Sequence, residues 1–240
     1  MIKEALEYII GLNDSIQYET INDKLYCNKQ MHLVDEYNKI KPIRLHSLTS
    51  LVDYVKTCEQ NIPDKMYLVI NEYNSISLIG HLDKDNQRDN VIECSSNTVQ
   101  FRFGEWHTQE QFNIALQSLF VDNEDRALLL TVMGNLEAGS VAKYGDDGVT
   151  QKATIKSGVS VKQDIVVPNP VTLIPYRSFL EVGHPATQFI FRLKQDDRTG
   201  EVKAALFEAD GGAWKMQIMD EIKKYLEESL KEFENINILA

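Results

Sequence analysis

Behind Ser47, the apolar positions Leu48, Leu51, Val52 and Val55 recur at i, i+3, i+4 and i+7. That spacing predicts an N-capped helix burying one stripe. Cys58 extends the stripe, so a buried thiol is expected there, and Pro63 closes the element. Periodicity then shifts to two. Met66–Asn71 and Ser75–Leu82 read as strands around the turn-prone Glu72–Asn74, followed by Val91–Cys94 and Thr98–Phe103 through Ser95-Ser96-Asn97. With no helix between them, these four strands are expected to pair antiparallel.

Thr108-Gln109-Glu110-Gln111 has the form of a capping box, and Phe112, Ala115, Leu116, Leu119 and Phe120 supply the apolar face behind it. Asp122 is expected to cap a second helix, carrying Leu129, Val132, Met133 and Leu136 and ending at Gly139. Two helices joined by a tight turn form a hairpin able to cover one sheet face. Strands return at Thr150–Lys156 and Val159–Val167, turning at Ser157-Gly158, before Pro168-Asn169-Pro170 forces an extended path. Gln188–Lys194 and Val202–Phe207 form a last hairpin across Asp196 to Gly200. Asp210 then reads as the cap of a helix from Ala213 to Phe233, with Trp214, Ile218, Ile222, Tyr225, Leu226 and Phe233 inward. Asp220–Lys224 and Glu227–Lys231 are spaced to pair on its wet side.

Residues 1–42 stand apart. Ala5, Leu6, Ile9, Ile10 and Leu12 suggest a short amphipathic helix broken near Gly11-Asn13, and Asn22 to Lys41 is polar and aperiodic. We read 1–42 as a partly helical extension and 43–240 as one core domain of α+β class, with antiparallel hairpins packed on a helical hairpin and a long C-terminal helix.

Composition adds limits. The 240 residues are 43% hydrophobic and 25% charged, which suits a packed domain rather than a disordered chain. No window of eighteen apolar residues marks a membrane span, and the acidic start with Glu4 and Glu7 lacks the form of a signal peptide. A cytoplasmic protein without membrane attachment is expected. The net charge of −11 argues against a whole-surface nucleic-acid binder, although Val141 to Lys203 holds nine basic residues against seven acidic ones.

His32, His46, His81, His107 and His184 are widely spaced, and no H-E-x-x-H or C-x-x-C occurs, so no metal site is expected; His107 with Glu105 is the nearest approach to one. No phosphate loop is present. Gly211-Gly212 ahead of the last helix suggests an anion site, but Glu208 and Asp210 already bring negative charge to it. There is no G-x-S-x-G, and the paired acids Asp146-Asp147 and Asp196-Asp197 suit turns. Glu105, Glu181 and Glu208 are the acids that strands could project into a shared cleft. No catalytic residue and no cofactor is assigned. Phe101-Arg102-Phe103 and Phe189-Ile190-Phe191-Arg192 alternate aromatic with basic, placing the two types on opposite strand faces. Tyr176-Arg177, in a proline-flanked loop, is better placed for binding.

Tyr144-Gly145-Asp146-Asp147-Gly148-Val149-Thr150-Gln151, Pro168-Asn169-Pro170-Val171-Thr172-Leu173-Ile174-Pro175-Tyr176-Arg177-Ser178-Phe179, Phe189-Ile190-Phe191-Arg192 and Phe207 to Trp214 follow one another in an order that resembles the phage and prophage family known as domain of unknown function 2303, the YfdQ-like proteins. The resemblance runs from about Ile43 to Leu230. It implies a phage setting and supplies no catalytic residues. From it follows the expectation of a non-enzymatic accessory protein in the infected bacterial cytoplasm, binding a host defence protein or a small signalling molecule. The alternative is a single-stranded DNA-binding or recombination factor. Tyr176, Arg177, Arg192, Glu208, Asp210 and Trp214 are the candidate binding residues. A homo-oligomer is expected, with the apolar stripe of the last helix serving either a two-fold contact or the domain's own sheet.

Overall fold

The computed structural model describes residues 2–13, 18–21, 24–27, 41–57, 65–83, 86–141, 152–157, 161–166, 169–196 and 198–240. The chain divides into Met1–Lys39 and Ile40–Ala240. In the smaller unit, helix α1 (Ile2–Asn13) precedes an antiparallel hairpin of β1 (Tyr18–Ile21) and β2 (Lys24–Cys27). The second of these strands lies in the stretch Asn22 to Lys41 that reads as polar and aperiodic, because a four-residue strand leaves almost no periodic trace.

The larger unit begins with β3 (Ile43–Leu45), α2 (Leu48–Thr57), β4 (Met66–Glu72), β5 (Ser75–Leu82) and β6 (Arg88–Ser95). Next come β7 (His107–Thr108), α3 (Gln109–Leu119), α4 (Glu124–Gly134), β8 (Leu136–Val141), β9 (Lys152–Ser157) and β10 (Val161–Val166). It ends with β11 (Val171–Leu173), β12 (Thr187–Gln195), β13 (Val202–Glu208), α5 (Ala213–Ser229) and β14 (Ile236–Leu239). The fold is α+β, with two mostly antiparallel main sheets.

The first sheet has the order β14-β4-β5-β6-β3. Its three inner strands are antiparallel and both edge strands are parallel to their neighbours. Met66, Leu68 and Ile70 of β4 alternate inward with Ile76 and Leu78 of β5, meeting Leu48, Leu51 and Val55 of α2 and Trp214, Ile218, Ile222 and Leu226 of α5. The stripe of α5 is therefore committed to the domain's own core. The second sheet, β11-β12-β13-β7, sets Phe189, Phe191 and Leu193 beside Ala204 and Leu206 beneath Phe112, Leu116, Leu129, Val132 and Met133 of the helical hairpin. A smaller sheet, β10-β9-β8, is also antiparallel.

Several expectations need correction. Thr98–Phe103 forms no strand: Thr98 Oγ1 and Gln100 Nε2 instead donate to the carbonyls of Ser178 and Arg177 (2.7 and 3.1 Å). Helix α4 ends at Gly134 rather than Gly139, and Leu136 opens a strand. Its cap is Asn123, which accepts from the Arg126 amide at 2.8 Å, while Asp122 pairs with the Arg126 side chain at 2.6 Å. Helix α5 ends at Ser229 instead of Phe233, and Lys224 pairs with Glu221 at 2.9 Å, not Asp220. The edge strands β3 and β14 were not anticipated, being short and dependent on distant partners. The capping box at Thr108 forms as expected. Cys58 and Tyr144 to Gln151 lie outside the described residues.

Candidate functional site

The main chain passes between the two cores four times. Cys94 belongs to the first and Phe101 to the second; Leu173 lies in the second, Phe179 and Val182 in the first, Phe189 in the second again; Leu206 and Trp214 make the last crossing. Arg177 sits on one of these passages with 2% of its surface exposed. Its guanidinium lies 4.1 Å from the Trp214 ring centroid, 4.6 Å from Phe103 and 5.2 Å from Phe189, joining aromatics of both cores. Phe103 and Phe189 are themselves stacked, 11° apart at 5.0 Å.

One acid compensates the charge. Arg177 Nη2 lies 3.0 Å from Glu208 Oε1, whose side chain is 33% exposed. The approach is out of line for a directional hydrogen bond, so Nε, Nη1 and Nη2 have none among the described residues. The aromatic faces take their place. Burial pushes the Arg177 pKa down to about 10 against the opposing pull of Glu208 and Asp210, leaving it charged near neutrality. His184, edge-on to Tyr176 at 5.3 Å, has both ring nitrogens buried without a hydrogen bond among the described residues. Burial, and then the charge of Arg177, lower its pKa.

The structure thus gathers Arg177, Glu208, Asp210 and Trp214, with Tyr176 beside them facing the other way. Asp210 does not cap α5 from the N-cap position, which Gly212 occupies with φ 83°. From two residues earlier its carboxylate accepts from the Gly212 and Trp214 amides (3.1 and 3.3 Å). Gly211 at φ 64° makes that reach possible, since L side chains are strained there. The anion site weighed at this helix end is thereby filled by the protein's own carboxylate. Arg192 lies outside the cluster, opposite Ala205 on the β12 face away from Phe189 and Phe191. The acids Glu105, Glu181 and Glu208 have separate duties: Glu105 lies 3.7 Å from Arg102, Glu181 accepts from the Thr49 amide at the start of α2, and Glu208 meets Arg177. His107 Nε2 donates to the Arg102 carbonyl at 3.1 Å, and no group of three or more metal-ligating side chains occurs among the described residues.

Sequence reasoning missed the cleft on the far side of Tyr176. It measures about 830 Å³ and is walled by His46-Ser47, Ser96 to Val99, Ser118-Leu119, Tyr176 and Phe179 to Glu181. Its rim carries Val99, 70% exposed, and Leu180, 69% exposed. Its four serine and threonine hydroxyls all have internal partners. Ser47 Oγ accepts from the Ser50 amide, Ser96 and Thr98 donate to the Ser178 carbonyl, and Ser118 donates to the Ile114 carbonyl. The cleft therefore presents mainly methyl and ring surface, and filling it costs little polar desolvation. Cys94, nearby and buried, has its Sγ 3.4 Å from the Ser47 carbonyl, and burial pushes its pKa up to about 12. It is a packed, unreactive thiol.

No family model matches this chain, and no curated protein and no solved structure matches it.

Proposed function

We propose that the chain is a non-enzymatic binding protein, a phage accessory factor that engages a host protein or small signalling molecule in the bacterial cytoplasm and blunts antiviral defence. The cleft carries the binding part of this reading. A concavity of this size with exposed aliphatic residues on its rim matches the form of ligand and partner sites. Its committed hydroxyls favour binding over nucleophilic chemistry, since none is hydrogen-bonded to a general base. The phage setting comes from the sequence resemblance alone. Self-association belongs to the proposal too, through a surface other than the apolar face of α5.

The second reading, single-stranded DNA binding, can no longer use Arg177, which is enclosed by aromatics. It gains a different footing: Trp106, 37% exposed, lies T-shaped against Phe207 at 6.3 Å, and Lys194 Nζ is 4.3 Å from its ring.

One comparison tests both readings. Immobilised wild type and Leu180→Asp are exposed to lysate of the infected host, and each is also weighed by native mass spectrometry before and after denaturation. A protein or released small molecule held by wild type and lost from the variant supports the first reading. Retention of nucleic acid, equal in both and falling steeply with salt, would replace it with the second.

A further inference from the structure

Resting on the cleft as a binding site, we propose that its occupant is a segment of a partner protein that inserts aliphatic side chains and carries Lys or Arg beside them, rather than an anionic signalling molecule. Two sets of observations point there.

The first is charge. Among the described residues no lysine or arginine lines the cleft, and Glu181 is its one carboxylate. A phosphate or nucleotide would have to leave water without meeting a cation, a transfer the protein could not offset. Arg44 belongs to a neighbouring hollow that shares His46, and it faces Glu93 at 3.6 Å. The chain's net charge of −11 adds a long-range field of the same sign.

The second is hydrogen-bond polarity. His46 Nδ1 lies 3.0 Å from the Ser95 carbonyl, and a carbonyl only accepts, so Nδ1 carries the proton. In the neutral ring Nε2 is then an acceptor. Glu181 also only accepts; its Oε1 takes hydrogen bonds from the Thr49 amide and hydroxyl at 3.1 and 3.2 Å, which fixes the carboxylate in place. With Val99 and Leu180 on the rim, the complement is an apolar group next to an N–H-rich cation.

The experiment titrates the full chain, labelled with nitrogen-15, with three capped tetrapeptides in which two leucines are flanked by two lysines, two glutamines or two glutamates. Amide shifts of Val99, Tyr176 and Leu180 report on the cleft. The lysine peptide should bind about two- to fivefold tighter than the glutamate peptide, the range of a single exposed ion pair. Glu181→Gln, which keeps the oxygen that caps α2, should bring the two within about twofold, separating this carboxylate from the general field of the protein. Equal or tighter binding of the glutamate peptide overturns the proposal while leaving the cleft a binding site. Should no peptide move these amides, both the proposal and the reading beneath it fall.

Discussion

His184 packs edge-on against Tyr176, and in that position neither ring nitrogen has a hydrogen bond among the described residues. Burial and Arg177 both oppose its protonation. The folded state thus binds a proton here only at a pH below the ordinary histidine value of 6.5, whereas the unfolded chain binds it near that value. Stability from this group is complete above pH 6.5 and declines as the pH falls through it, by at most about 1.4 kcal/mol per pH unit. Urea unfolding from pH 7.5 to 5.0 should show the decline, and His184→Phe should flatten it relative to wild type. An unchanged slope would show that the ring titrates normally. Tyr176-Arg177 was legible from sequence as a place of interest because loops flanked by proline are conspicuous. Its burial was not, since Phe103, Phe189 and Trp214 reach it from distant parts of the chain. Asp210 shows the opposite limit: its role at α5 was legible, but its offset depends on two successive left-handed glycines.

The helical hairpin locks itself at both ends. Arg126 near the start of α4 donates from Nε to the Leu116 carbonyl at 2.7 Å and from Nη2 to the Gln117 carbonyl at 3.3 Å, serving carbonyls that α3 cannot satisfy itself. Gln109 at the start of α3 donates to the Met133 carbonyl at the end of α4. A planar fork is needed for the first lock. Arg126→Ala should lower the unfolding free energy by about 2–3 kcal/mol, and Arg126→Lys should recover less than half, because an ammonium cannot span both carbonyls. Chemical denaturation of the three proteins measures this. The start of α4 also holds β11. Asp125 Oδ2 accepts from the Thr172 amide at 2.6 Å and Asn123 Nδ2 donates to its carbonyl at 2.9 Å, so side chains stand in for a neighbouring strand at that residue. The existence of both helices could be read from their stripes and the Thr108 box, which are local signals. Strands β3 and β14 could not, because their pairing joins Ile43 to Ile92 and Ile236 to Met66.

At the scale of the molecule, the two cores meet at a buried cation. Removing Arg177 leaves Glu208 without its partner and opens a gap between Trp214 and the stacked pair Phe103–Phe189. Glu208 is a third exposed and stays solvated, so most of the cost comes from the emptied space among the aromatics, about 2–5 kcal/mol for a large-to-small core truncation. Arg177→Ala should lose stability in that range, and Arg177→Met, which refills the space, should lose less. In a Trp106→Phe background the fluorescence of Trp214 reports the first core, and far-UV circular dichroism reports both. These transitions should coincide with Arg177 present and separate with alanine in its place. Coincidence in the variant would mean that the repeated crossings alone couple the cores. The α+β class followed from sequence patterning, but the cleft did not: its walls come from stretches around Ser47, Asn97, Ser118 and Leu180, each unremarkable until the fold joins them.

Four passages between the cores also fix how this domain can be divided. Cutting the chain at any one of them divides the first core, and cutting at either of the two middle passages divides the second as well. Phe179 reaches the first core from between two strands of the second sheet, and β14 closes the first sheet only after the second has been completed. No single cut within Ile40–Ala240 therefore frees the first core as a unit that recombination could transplant intact or an expression boundary could isolate. The cleft is inherited with the whole domain, and its walls, drawn from both sides of that division, must change together.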